Sequence, residues 1–217
     1  MKLLRGQSRI ILVLWGGLLT ACLVALSAGL WELAFVAFVT LLLSIAPLAL
    51  ASRYSINVPV PFLVATTLFV GGSIFMGEAF DFYERVWWWD IALHASSAVG
   101  FGLIGFLFVF MLFEGDRFAA PPAAIAFLSF CLAVTVGSIW EIFEYAMDTA
   151  FGLNMQKSGL DDTMGDLIVN GIGALVGAVS GFFYLRGREG HLFAPLIRQF
   201  VDSNRNLYRR IKKKARR

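Results

Sequence analysis

An all-α bundle of about six transmembrane helices is the fold this sequence predicts, and three observations predict it. Of its 217 residues, 59% are hydrophobic and 15% are charged, too little charge to coat a soluble domain of that length. The mean hydropathy is +0.75. The apolar residues gather into runs near the roughly 20 residues that a helix needs to cross a hydrocarbon core about 30 Å thick. No strand-like alternation runs through these segments, which leaves a helical bundle as the spanning architecture.

Six segments meet the length requirement: residues 10–30, 34–50, 60–77, 91–113, 123–147 and 164–185. Pro47 and Pro61 punctuate the second and third near one membrane face, where a missing backbone donor matters least. Gly71, Gly72 and Ser73 lie inside the third and permit a bend. Residues 1–185 form the transmembrane bundle and residues 186–217 a basic cytoplasmic tail. Cys22 and Cys131 both sit in apolar runs, so no disulfide framework is expected. Leu19-Thr20-Ala21-Cys22 resembles a lipoprotein cleavage box, but the apolar run continues past it to Leu30, which favours an ordinary first helix.

Orientation follows from charge. With both termini inside, every Lys and Arg except Arg85 and Lys157 falls on the cytoplasmic side, as the positive-inside rule requires. The expected location is a bacterial inner membrane. The cluster Trp87, Trp88 and Trp89, with Phe80, Phe82 and Tyr83, then lies at the outer interface as an aromatic belt. In the tail, Leu192, Leu196, Ile197, Phe200 and Val201 have helical spacing. Behind them come Arg205, Arg209, Arg210, Lys212, Lys213, Lys214, Arg216 and Arg217. An amphipathic helix on anionic inner-leaflet headgroups fits this pattern. Lipid-contacting roles are expected for Arg209, Arg210, Lys212, Lys213, Lys214, Arg216 and Arg217. No nucleic-acid partner is expected, because no stacking aromatics interleave the charges.

The acids have the opposite bias: all but Glu114, Asp116, Glu189 and Asp202 lie outside or at outer helix ends. Topology does not require this. Depth counted at about 1.5 Å per residue layers them. Asp90, Asp148 and Asp162 form a mouth on the fourth, fifth and sixth helices. One turn deeper come His94, Glu144 and Asp166, and deepest Glu141 and Asn170. Ionised groups in hydrocarbon cost about 2.5–3.5 kcal/mol each at mid-bilayer. A bound cation, shared protons or water must offset that. Carboxylates with one imidazole suit a divalent metal ion of several kinds, and one available histidine excludes a three-histidine zinc site. The candidate metal ligands are His94, Glu141, Glu144 and Asp166, with Asp90 and Asp162 at the mouth. A plainer role also suits some of them: Asp161 or Asp162 as the cap of the sixth helix, Asp90 as the cap of the fourth. Trp140 and Tyr145 read as belt or packing residues. Gly173, Gly177 and Gly181 form a small-residue stripe for close helix approach, with Gly100, Gly102, Gly105 and Gly137 as candidate partners.

At these residues the chain resembles the YjdF family of small bacterial inner-membrane proteins. The resemblance rests on Asp90-x-x-x-His94, Glu141-x-x-Glu144-Tyr145 and Asp162-Thr163-x-x-Asp166-Leu167 before Gly173-Ala174. Ile91 and Met164 depart from that family's pattern, which has a basic residue and a glutamine there. Asp90-x-x-x-His94 and Asp166-x-x-x-Asn170-x-x-Gly173 are more distantly similar to VanZ-like proteins. Neither resemblance implies a settled activity. Three uses of an acidic, outward-facing intramembrane site stay open: chemistry on a lipid or lipid-linked substrate, proton- or ion-coupled transport, and non-catalytic binding of a lipid or small molecule. No nucleophile elbow or phosphate-cradling glycine loop is present.

Overall fold

The computed structural model describes residues 8–113, 120–188 and 190–207. Among them the regular structure is helical, and six helices are long and apolar enough to cross a membrane. The chain divides into two compact units, residues 1–89 and 90–217.

The first unit holds three of the six long helices. α1 (Arg9–Ser27) starts where the Ser8 side chain accepts the Ile10 N–H, and it ends before Gly29, whose φ of +73° turns the chain. Leu30 therefore lies in that turn. Cys22 sits inside α1, buried, with its thiol 3.5 Å from the Ala34 carbonyl. α2 (Trp31–Arg53) continues past Pro47 without a break in its helical assignment and extends past the expected bounds at both ends. α3 (Val60–Val70) carries Pro61 in its first turn, where no intrahelical donor is lost. Ile11, Trp15 and Leu63 are the buried centre of this unit, with Leu41, Ile45 and Leu48 packed around them. At Gly71 the third helix changes pitch and continues as a π-helical stretch, Gly71–Glu78. The local permissiveness expected of Gly71, Gly72 and Ser73 thus appears as a widened turn. The Gly72 carbonyl accepts the Trp89 indole N–H at 3.2 Å. A one-turn helix, α4 (Phe82–Arg85), follows, and Phe82 packs edge-on to Trp89 at 4.9 Å. Trp89 is therefore an internal anchor, whereas Trp87 is 83% exposed.

The second unit, from Asp90 on, holds α5 (Trp89–Leu112) apart from its first residue, Trp89, which belongs to the first unit, and α6 (Pro122–Phe151), α7 (Leu160–Leu185) and α8 (Ala194–Ser203). Each long helix has two faces set by the 3.6-residue repeat. On α7, Met164, Ile168, Ile172 and Leu175 are exposed, while Asp166, Asn170, Gly173, Gly177 and Gly181 are buried. In hydrocarbon that assignment is natural: branched and long apolar chains meet lipid, and small or polar residues meet protein. The glycine stripe is seated on α5. A Cβ at Gly177 would lie 2.8 Å from the Gly102 Cα, one at Gly173 would lie 2.7 Å from the Ala98 Cβ, and one at Gly181 would overlap the Phe106 ring. Of the expected partners, Gly102 receives the stripe, Gly105 faces the Ser129 carbonyl on α6, Gly137 faces Asn170, and Gly100 faces open space.

The three helices are longer at the polar end than the apolar runs alone imply, because Asp90, Asp148, Asp161 and Asp162 lie within first or last turns. The residue that caps α7 is Gly159, not Asp161 or Asp162. Those two lie in the first turn, where their charge complements the helix dipole. In the tail, α8 packs on α7 through buried Ala194 and Ile197, and the Phe193 N–H donates to the Ser180 hydroxyl. Leu192 is not on the apolar face of this helix: it precedes α8 at a φ of +47° and is exposed. The predicted lipid-contacting residues from Arg209 to Arg217 lie outside the described residues.

Candidate metal centre

The buried stripes of α5, α6 and α7 each end in polar residues at the same end of the second unit. On α5 the stripe runs Phe110, Phe106, Gly102, Ala98, His94; on α6 it runs Ile125, Ser129, Ala133, Glu141, Glu144; on α7 it includes Gly173, Asn170 and Asp166. Steps of three or four residues, or of eight between Ala133 and Glu141, keep each set on one face. Helical periodicity therefore turns three separated sequence motifs into one cluster.

His94 is its centre. Its Nε2 is 3.6 Å from Asp90 Oδ1 on its own helix and 3.9 Å from Asp166 Oδ2 on α7. Its Nδ1 is 3.7 Å from Glu141 Oε1 on α6. Two overlapping sets of potential ligand atoms result, Asp90–His94–Asp166 and His94–Glu141–Glu144, each with all atoms within 4.8 Å of one another. His94, Glu141, Glu144 and Asp166 are all buried, and Asp90 is the most accessible of the five, its side chain one-third exposed. Glu141 lies beside His94, its Oε1 3.7 Å from the ring, rather than in a layer beneath it, because a long side chain reaches along the helix and residue counting places only the backbone.

The cluster is under-satisfied. Neither carboxylate oxygen of Glu141 has a hydrogen-bond partner among the described residues, and the same holds for Asp166 Oδ2 and Asn170 Nδ2. Leaving one buried polar atom unpaired costs about 1–3 kcal/mol, and more if it is charged. The spacing suits a shared ion. Two donors at about 2.0–2.2 Å from one metal lie about 3.4 Å apart in tetrahedral geometry and at most about 4.4 Å apart. The observed separations of 3.6–3.9 Å fall inside that range. They exceed the 2.7–3.2 Å of a direct hydrogen bond.

Two residues have roles that sequence reasoning did not give them. Trp140 is no mere packing residue, since its indole N–H donates to Glu144 Oε1 at 2.9 Å. The signal was its position four residues before Glu144, which stacks the two along the helix. Asp148, expected at the mouth, is engaged elsewhere. Its carboxylate accepts the backbone N–H groups of Met155 at 2.8 Å and Gln156 at 2.9 Å, clamping the loop between α6 and α7. Asp162, half-buried one turn outward from Asp166, belongs to neither ligand set, and it accepts the Lys157 backbone N–H.

A family described as "Predicted membrane protein (DUF2238)" matches residues 8–187, most of the chain. The YjdF family is associated with that same family. An uncharacterised protein of Thermotoga maritima is 34% identical over 112 residues, which are 50% of this chain and 57% of that relative. The match thus spans little more than half of the relative's length. No solved structure matches the chain.

Proposed function

The chain belongs to the DUF2238 family of predicted membrane proteins, and we propose that it binds a divalent cation at the His94 cluster. The observation that carries this reading is His94 flanked on both ring nitrogens by buried carboxylates from α5, α6 and α7, with the facing oxygens of Glu141 and Asp166 otherwise unpartnered. A cation compensates carboxylates that hydrocarbon would otherwise penalise. In this reading the protein lies in a bacterial inner membrane with both ends cytoplasmic, and the site opens outward on the Asp90 and Asp162 side. The VanZ-like spacing on α5 and α7 is part of the same polar stripe in this reading.

The use we propose for the site is chemistry on a lipid or lipid-linked substrate at the outer leaflet. A bound divalent ion supplies polarisation of a phosphoryl or carbonyl oxygen. The residues around it supply the rest. Asp90 meets the aqueous side, and Glu144, oriented by Trp140, is placed to take or give a proton. In the cytoplasmic tail, Arg209, Arg210, Lys212, Lys213, Lys214, Arg216 and Arg217 hold anionic headgroups.

Elemental analysis of the detergent-purified chain tests the cation. Metal near one ion per chain in the wild type, lost in His94→Ala at unchanged helicity, supports the reading. A wild type that stays metal-free after loading, yet dissipates a proton gradient in vesicles in a Glu141-dependent way, replaces it with ion-coupled transport.

A further inference from the structure

We infer that the two sides of His94 do different jobs: the Nε2 side, with Asp90 and Asp166, holds the ion, and Glu141 on the Nδ1 side is a positioning residue that orients the imidazole. This inference rests on the cation reading above and deepens it.

Three observations separate the two sides: the helices that converge on each, access, and the bond Glu144 already makes. An imidazole offers one nitrogen to one ion, so a single ion bound through His94 takes either the Nε2 set or the Nδ1 set. The atoms converging on Nε2 come from two helices, Asp90 Oδ1 from α5 and Asp166 Oδ2 from α7. Asp166 Oδ2 is buried with no hydrogen-bond partner among the described residues, as are both carboxylate oxygens of Glu141, so each side keeps an oxygen for its role, ligand on one and acceptor of the ring N–H on the other. Access favours the Nε2 side, since Asp90 is one-third exposed while Glu141 and Glu144 are buried. Finally, Glu144 Oε1 already accepts the Trp140 indole N–H, which commits part of the Glu pair to the protein.

The Nδ1 side has the form expected of an outer partner. A metal-bound histidine donates its other ring N–H to a carboxylate, which fixes the tautomer and ring angle. Glu141 Oε1 sits 3.7 Å from Nδ1, and a shift of about 0.5–1 Å makes that a hydrogen bond. The inner set then contains three protein donors. Three donors leave coordination positions vacant for an exchangeable ligand, as in catalytic rather than closed structural sites. Asp90 marks the side from which that oxygen ligand arrives.

The experiment is a Mn2+ titration of the full-length, metal-stripped chain in detergent, followed by electron paramagnetic resonance, on wild type, Asp90→Asn, Asp166→Asn, Glu141→Gln and Glu141→Ala. Wild type should bind with a nitrogen coupling from His94. Asp90→Asn and Asp166→Asn should each weaken binding by more than about 100-fold. Glu141→Ala should weaken it by about 10–100-fold, the usual cost of losing an outer partner. Glu141→Gln keeps an acceptor for the Nδ1–H, so it should recover most of that loss, with the nitrogen coupling retained at saturation. Glu141→Gln abolishing binding while Asp90→Asn leaves it intact would assign the ion to the Glu side and overturn the inference. Wild type failing to bind at all would instead overturn the cation reading itself. Asp90→Asn, at a partly exposed position, keeps the test informative should a buried variant misfold.

Discussion

Replacing Gly177 by alanine should loosen both the fold and the site, and the structure says by how much. The new Cβ would lie 2.8 Å from the Gly102 Cα and 2.8 Å from the Val99 carbonyl oxygen. Both neighbours are backbone, so no side chain can rotate away. Carbon contacts relax near 3.5–4.0 Å, so α5 and α7 must part by about 0.7–1.2 Å. Overpacking of this kind costs about 1–3 kcal/mol, a factor of about 5–150 in a two-state equilibrium. The same displacement carried to the polar end would stretch the 3.9 Å separation of His94 Nε2 from Asp166 Oδ2 beyond the roughly 4.4 Å that one small ion spans. Gly171→Ala is the control, because a Cβ there meets nothing within 4 Å and alanine favours a helix interior by about 1 kcal/mol. Tryptophan-fluorescence melts and Mn2+ titrations on both variants give the comparison. Gly177→Ala should melt lower and bind more weakly, while Gly171→Ala should match or exceed wild type. Equal behaviour of the two would refute the close packing of α5 on α7.

Other consequences are as direct. Asp148→Ala removes an acceptor of two backbone N–H groups, each such bond to a charged group being worth about 1.5–3 kcal/mol, so trypsin should cut faster at Lys157; an unchanged rate would argue against the clamp. Reporter fusions after Phe113 and Leu185 should read cytoplasm, and those after Trp89 and Gly159 the outer side; an external C-terminus would relocate the acidic cluster. A peptide of residues 192–217 should bind anionic vesicles at about 1 kcal/mol per charge near the surface and release as salt rises, and salt-insensitive binding to neutral vesicles would contradict the electrostatic account.

The helical segments were legible because hydrocarbon imposes one rule on every long stretch, that backbone groups be satisfied internally. Their ends were less legible. Acidic residues look like boundaries in a hydropathy reading, yet first and last turns accommodate them, so α7 begins at Leu160 rather than near Met164. The approach of His94, Glu144 and Asp166 was readable from depth, since helices of known rise place polar groups at comparable heights, whereas the same count put Glu141 a layer too deep. The fine arrangement was not. Residue counting gave Asp148 and Asp162 the same standing as Asp90, because sequence does not reveal that a loop doubles back to bond Asp148 or that the Lys157 backbone N–H donates to Asp162. Nor does it show that Trp140 turns its N–H toward Glu144 while its ring stays half exposed. Such contacts depend on side-chain rotation and loop closure, which no periodicity encodes.

Calorimetric titration of the metal-stripped chain with Mn2+, run beside a chain carrying His94→Ala, Asp90→Asn and Asp166→Asn together, tests the central claim most directly. Saturable uptake of one ion per wild-type chain, absent from the triple variant at equal helicity, is expected if His94, Asp90 and Asp166 hold the cation. Heats indistinguishable between the two chains would contradict it and leave the cluster as a polar contact among three membrane helices.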